Sequence, residues 1–264
     1  MPWQQYVLDV GMEIDPDHGG FVYNEIDLTV PRQSGKTTLL LPKLVHRSIA
    51  HQRPQRTIYT AQTRSKARKK WEDDQLAQLR RAKGFLTEIS ARGREPRKRG
   101  EYRVRKSNGN EAIVWWNDSL WGIDAPTDEA AHGDTLDEGV IDEAWSQIDD
   151  RVEQGMSPAM ITRAPWAQLV IVSTAGNHKS KYLYRKILAG RRRAETGDHG
   201  TVASFEWSAP DGAPLLDPDV WWATMPALGI TQTPQAIERE IRRTIENPQE
   251  GENAARRAAS ASFF

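Results

Sequence analysis

Residues 169–172 of APWAQLVIVSTAGN are apolar without a break, the pattern of a strand covered on both faces in a parallel sheet, and they mark the clearest strand in the chain. Shorter apolar stretches predict others: residues 28–30 leading into a polar loop, RTIYTA at 56–61, residues 112–116, residues 140–141 inside LDEGVIDE, and VASFEWSAP at 202–210. Between them the spacing turns helical. Leu39, Leu40, Leu44 and Val45 give residues 37–50 an apolar side that Pro42 bends. Trp71, Leu76 and Leu79 anchor a charged helix over 65–83, and Tyr182, Leu183, Ile187 and Leu188 anchor another over 179–193. A helix is expected from 143 to about 154, with a turn at Ser157-Pro158 after it. Thr233 before Pro234 is an N-cap followed by proline at the first helical position. Strands alternating with helices define an α/β fold.

Two stretches break the alternation. Residues 91–111 are basic, glycine-containing and poor in apolar positions, which predicts an exposed loop or ribbon. The tail after Pro248, rich in alanine, arginine and serine, reads as the start of a linker helix, so the chain divides into 1–245 and 246–264. Neither an internal repeat nor a heptad run is present.

Composition narrows the functions. With 36 basic and 36 acidic residues, net charge gives no argument for a nucleic-acid partner, and only the distribution of charge can. The absence of cysteine removes disulfides, thiol catalysis and cysteine-based zinc sites, and the six histidines have no metal-ligand spacing. No signal peptide or membrane span is expected. Asn117-Asp118-Ser119 matches a glycosylation acceptor by coincidence.

The candidate chemistry begins at VPRQSGKTTLL, residues 30–40. A full phosphate-loop pattern asks for glycine where Val30 stands, yet the working parts remain. Ser34 and Gly35 let backbone amides approach phosphate, Lys36 reaches the β and γ oxygens, and Thr37 contacts magnesium. A strand before the loop and a helix after it add the helix dipole. In LDEGVIDE, Asp142 is the candidate to hold Mg2+ through its water shell and Glu143 to polarise the attacking water; the alternative is a solvated acidic turn. Ser173 and Thr174, hydroxyls at the end of the clearest strand, suit a sensor of the γ-phosphate. Loop, acids and hydroxyls are three strand ends that one α/β sheet can bring together.

These residues carry a family resemblance. PRQ-x-GKT without the first glycine, Pro2-Trp3-Gln4, Thr60-Ala61-Gln62, Ile141-Asp142-Glu143-Ala144, Ser173-Thr174-Ala175-Gly176, and Trp222 with Met225-Pro226-Ala227-Leu228-Gly229 occur in that order along nearly the whole chain. In this the chain resembles the ATPase domain of the large terminase subunit of tailed bacteriophages, the motor that pumps DNA into a procapsid. The resemblance makes Val30 a family mark. It implies an additional-strand (RecA/ASCE-like) P-loop NTPase fold with a central, mostly parallel sheet flanked by helices. It implies ATP and Mg2+ as cofactors, nucleotide contacts from Gln4, Arg32, Gln33, Ser34, Gly35, Lys36, Thr37 and Thr38, and metal contacts from Thr37 and Asp142. Glu143, Lys36, Arg32 and Thr174 would be catalytic, and Gln4 would read adenine. The implied partners are double-stranded DNA, further copies in a ring (a pentamer on the procapsid), the portal and the small terminase subunit, with no membrane. The implied location is the host cytoplasm, at the portal vertex. The family's nuclease domain would follow this chain, and Asp124, Asp128, Asp134 and Asp137 do not replace it.

Basic clusters at 92–106, with eight basic and two acidic side chains, and at 179–193, with seven and none, are candidate DNA contacts or solvated faces. Trp115, Trp116 and Trp121 could stack on bases but fit core positions better. A helicase-like translocase, a non-hydrolysing docking module and a phosphate-loop kinase are the competing readings.

Overall fold

A computed structural model describes residues 1–90, 94–127, 135–177, 179–198, 200–210 and 212–246. Its elements are α1 (Pro2–Gly11), β1 (Glu25–Thr29), α2 (Lys36–Ala50), β2 (Arg56–Thr60), α3 (Arg64–Lys69), a π-helical segment (Lys70–Leu76), α4 (Ala77–Arg81), β3 (Thr87–Glu88), β4 (Glu101–Arg105), β5 (Ala112–Trp115), β6 (Leu120–Ile123), β7 (Glu138–Asp142), α5 (Arg151–Met160), β8 (Gln168–Ser173), α6 (Lys181–Thr196), β9 (Val202–Glu206), α7 (Pro218–Thr224) and α8 (Pro234–Glu246). The strands form one sheet in the order β3-β4-β5-β6-β2-β7-β8-β1-β9. Among the described strands only the β4–β5 and β5–β6 pairings are antiparallel.

The central strands owe their place to unbroken burial. All six residues of β8 are buried, as its apolar run predicts, and β8 is inserted between β1 and β7 with parallel pairing to both. β7 is equally buried although it begins with a carboxylate. Glu138 is accommodated because Lys43, itself buried on α2, pairs with it. The neighbouring Asp137 is fully buried too and meets Arg53 at 2.9 Å, with Arg56 N–H donating to it at 2.8 Å. Buried carboxylates persist only when paired in this way. Leu28, Val30, Leu39, Leu40, Val140 and Val172 belong to the main core on one side of the sheet, and Ile141, Leu169, Ile171, Leu183 and Ile187 to a second core on the other. A smaller core gathers Trp221, Met225, Leu228 and Ile241.

Three expectations change. Residues 94–111 are not simply an exposed ribbon, because residues 101–105 are a strand of the sheet with Tyr102 and Val104 buried. No helix starts at Glu143. That residue has φ 59°, which breaks helical geometry, and only a 3-10 turn (Ala144–Ser146) precedes α5. Ser157-Pro158 is not a turn but lies inside α5, where the proline leaves the helix without one N–H donor. Thr233 does cap α8, its Oγ1 accepting from Ala236 N–H at 3.3 Å. Trp115 and Trp121 are fully buried and belong to the core. Asp128, Asp134 and the tail from 247 lie outside the described residues. Among the described residues no helix is long and apolar enough to cross a membrane.

Candidate nucleotide site

The strand order places the ends of β1, β8 and β7 side by side. At the first of these the chain leaves β1 through Val30, whose N–H donates to Ser173 O on β8 at 3.1 Å. Val30 is fully buried and has no positive φ, so its backbone does not require glycine. The left-handed positions of the loop are Gln33 (φ 59°) and Gly35 (φ 99°). A Cβ on Gly35 would stand 2.8 Å from Gln4 Nε2 and 2.9 Å from Thr38 Oγ1, so glycine is needed there on both counts. Ser34 is fully buried, and its hydroxyl has no hydrogen-bond partner among the described residues.

Lys36 opens α2, a fifteen-residue helix whose first amides receive no side-chain cap. Such an end attracts an anion through its free N–H groups and the helix dipole. Burial pushes the Lys36 ammonium below its usual range, against the pull of Glu143 and Asp142, which are close enough to act on it. Among the described residues that ammonium forms no ion pair or hydrogen bond. Arg32 and Gln33 are exposed. The Arg32 carbonyl accepts from Gln232 Nε2 at 2.8 Å, which ties the turn after Leu228 to the loop. Gln4 reaches the loop from α1: its Nε2 donates to Gly35 O at 2.8 Å and to Thr38 Oγ1 at 2.7 Å.

At the end of β7, Asp142 is almost fully buried and held from three sides. Tyr59 Oη donates to its Oδ2 at 2.5 Å, Lys70 Nζ to the same oxygen at 2.8 Å, and Glu143 N–H to its Oδ1 at 2.8 Å. Glu143 receives Lys70 Nζ on Oε1 at 2.9 Å and the Trp145 indole N–H on Oε2. Burial alone would raise the Glu143 carboxyl, but Lys70 and Lys36 outweigh it and hold the group below the usual carboxylate range. The left-handed backbone of Glu143 is a local strain of the kind that persists where a side chain must be aimed.

At the end of β8, Ser173 Oγ accepts from Trp145 N–H at 3.0 Å and donates to Thr174 O at 2.7 Å. The hydroxyl pair is thus wired to the turn after Glu143. Thr174 is buried, with its Oγ1 unpartnered among the described residues. Two orphaned hydroxyls, Ser34 and Thr174, therefore flank the loop and the acids.

The structure brings the loop, Gln4, Asp142, Glu143 and Thr174 to one edge of the sheet. Tyr59, Lys70, Trp145 and Gln232 join them without having been singled out from sequence. Lys70 is one of five cations between 64 and 70, so nothing in the sequence distinguishes it. Among the described residues no three histidines or carboxylates could hold a metal by themselves. The oxygen donors Thr37 and Asp142 instead fit a hard cation that takes its remaining ligands from phosphate and water.

A phosphate loop on β1, an acidic strand end on β7 and an extra strand between them define an additional-strand P-loop NTPase. The family described as terminase large subunit, T4likevirus-type, N-terminal, matches residues 28–253, and the chain belongs to that family. No curated protein matches the chain significantly. Among solved structures, the large terminase of bacteriophage HK97 is similar over 97% of this chain and 50% of its own, with 16% identity and TM-score 0.70. The Thermus phage P74-26 large terminase ATPase domain is similar over 97% of this chain and 93% of its own, with 20% identity and TM-score 0.56. A large terminase from a thermophilic bacteriophage, in complex with ADP, is similar over 90% of this chain and 48% of its own, with 14% identity and TM-score 0.52. The chain thus spans about half the length of the HK97 protein and of the ADP-bound one.

Proposed function

We propose that this chain is the ATP-hydrolysing part of a DNA-packaging motor, converting ATP and water to ADP and phosphate to move double-stranded DNA into a procapsid. The observation that carries the proposal is the meeting of loop, hydroxyls and acidic pair at three adjacent strand ends. In this reading the α2 N-terminus and Lys36 take the β and γ phosphates, with Arg32, Gln33, Ser34, Gly35 and Thr38 shaping the cradle. Thr37 and Asp142 hold Mg2+, which when bound offsets charge on the phosphate oxygens. Glu143, kept ionised by its cations, orients and polarises the attacking water. The unpartnered Thr174 hydroxyl senses the γ-phosphate, and Ser173 passes its state to the turn at Trp145. Gln4 lines an open cleft with Gln5, Leu8, Asp9, Leu39 and Pro42 beside the loop, and an adenine there would meet its amide.

The partners follow from the family reading: double-stranded DNA, further copies in a ring, the portal and the small terminase subunit, in the host cytoplasm and at the procapsid. Many basic side chains are already matched within the chain, among them Arg94 with Glu101, Arg103 with Glu95, Lys186 with Glu25 and Arg191 with Glu206. Arg97, Lys98, Arg99 and Arg105 in the first cluster and Lys179, Lys181 and Arg192 in the second are exposed and form no ion pair among the described residues, so both clusters offer cations to DNA phosphates.

The test is steady-state ATP hydrolysis by wild type and Glu143→Gln, with nucleotide binding measured in parallel at several protein concentrations. Glu143→Gln should bind ATP as wild type does and lose about 10²–10⁴-fold in turnover, the usual contribution of a general base. A rate per subunit that rises with concentration supports catalysis shared between neighbours. Failure of both proteins to bind nucleotide would sink the reading.

A further inference from the structure

Every carboxylate oxygen of the acidic pair is engaged by the chain itself. Oδ1 of Asp142 accepts from the Glu143 amide, Oδ2 from Tyr59 and Lys70, Oε1 of Glu143 from Lys70, and Oε2 from Trp145. Oδ2 of Asp142, with two donors, has no lone pair left, and a cation entering between the two carboxylates meets the ammonium that already bridges them. Tyr59 is fixed in the core at 1% exposure, the Glu143 amide is backbone, and Trp145 is tied through its backbone N–H to Ser173. Lys70 differs. Its side chain is 28% exposed, carries its charge on a flexible stem, and bridges both carboxylates, at 2.8 Å and 2.9 Å. It also repels Lys36 across the same pair of acids.

The placement of Lys70 is built in. It is the first residue of the seven-residue π segment, a helix type that concentrates at functional sites. The preceding helix α3 is anchored on the far side, where Arg64 (2.5 Å) and Arg68 (3.1 Å) pair with the fully buried Glu111, next to β5. Lys70 is therefore delivered to the acids by a helix that the β4–β5 hairpin holds in place.

We propose that Lys70 is a displaceable counter-ion: it closes the Asp142–Glu143 pair in the nucleotide-free chain and yields its position to the divalent cation that arrives with ATP. The inference rests on the nucleotide reading above. It makes Lys70 a positioning residue, since it touches the acids and not the reacting atoms. Its ammonium competes with the cation for Asp142, which keeps the site from loading metal alone, and it holds Oε1 of Glu143 until nucleotide is present.

The experiment measures Mn2+ binding to the nucleotide-free chain by the electron paramagnetic resonance signal of free Mn2+, with Mg2+ as competitor. Binding of a fluorescent ATP analogue and the thermal unfolding midpoint are followed alongside. Removing a unit charge a few ångströms from the carboxylates should tighten Mn2+ binding by Lys70→Met at least about tenfold, while Lys70→Arg stays within about threefold of wild type. Adding Asp142→Asn to Lys70→Met should abolish the gain. Equal Mn2+ affinity in wild type and a folded Lys70→Met overturns the proposal, as does a gain that survives Asp142→Asn. If the unfolding midpoint shows that Lys70→Met does not fold, Lys70→Gln provides the same comparison. Absence of ATP-analogue binding in wild type, unchanged by Lys36→Ala, overturns the nucleotide reading instead, so the two failures are separable.

Discussion

Restoring the missing glycine of the phosphate loop should damage this protein. Val30 is fully buried in the main core with Leu28, Leu39 and Val172, and its N–H is bonded to Ser173 O. Val30→Gly removes three buried carbons, worth about 0.8 kcal/mol each, or roughly 2.4 kcal/mol. The added freedom of glycine in the unfolded chain costs roughly 0.5–1 kcal/mol more. The sum, about 3 kcal/mol, corresponds to a fall of roughly 6–12 °C in unfolding midpoint at about 2–4 °C per kcal/mol. Nucleotide affinity should not improve, because the loop's left-handed residues are Gln33 and Gly35, not Val30. Circular dichroism melts with and without ATP, and equilibrium nucleotide binding, provide the check. A variant that melts within about 2 °C of wild type and binds ATP more tightly would refute the assignment of Val30 to the core.

The Lys43–Glu138 pair, buried between α2 and β7, should show a large coupling. Lys43→Met or Glu138→Leu alone strands a buried charge and should cost about 3–5 kcal/mol, whereas the double variant should cost much less; urea unfolding of all four proteins measures the difference. His51 supplies a pH dependence: burial, with Arg47, His46, Lys43 and Arg53 near, pushes its imidazole down to about 4 from the ordinary 6.5. The folded state therefore refuses a proton that the unfolded chain accepts. His51 has no effect above pH about 6.5, removes on the order of 1–3 kcal/mol as pH falls toward about 4, and adds no further loss below that. His51→Phe should flatten this part of the stability profile, measured as urea midpoints at several pH values; an unchanged slope would contradict the assignment.

The part of this architecture that can be read from sequence is the part in which one residue type does one job locally. β8 announces itself because four apolar residues in a row have no other economical place than between two strands and two helix layers. The placement of Lys36, Asp142, Glu143 and Thr174 at adjacent strand ends is legible because each follows a short apolar run or a glycine loop that marks where a strand stops. β6 is not legible, since a four-residue strand, LWGI, takes its identity from pairing with β2, whose residues lie some sixty positions away. Nor does LDEGVIDE look like a fully buried strand, because Glu138 is made tolerable by Lys43, ninety-five residues earlier. The same limit explains the site. Lys70 cannot be told from Lys69 by composition or period, and only the π segment and the Glu111 tether decide which ammonium reaches the acids. What sequence hides here is therefore not the candidate acids but the counter-charges that hold them. In the proposed mechanism those counter-charges govern when Asp142 and Glu143 can accept a metal and a water. On that proposal the timing of hydrolysis is written in long-range ion pairs, while the candidate chemistry is written in short motifs.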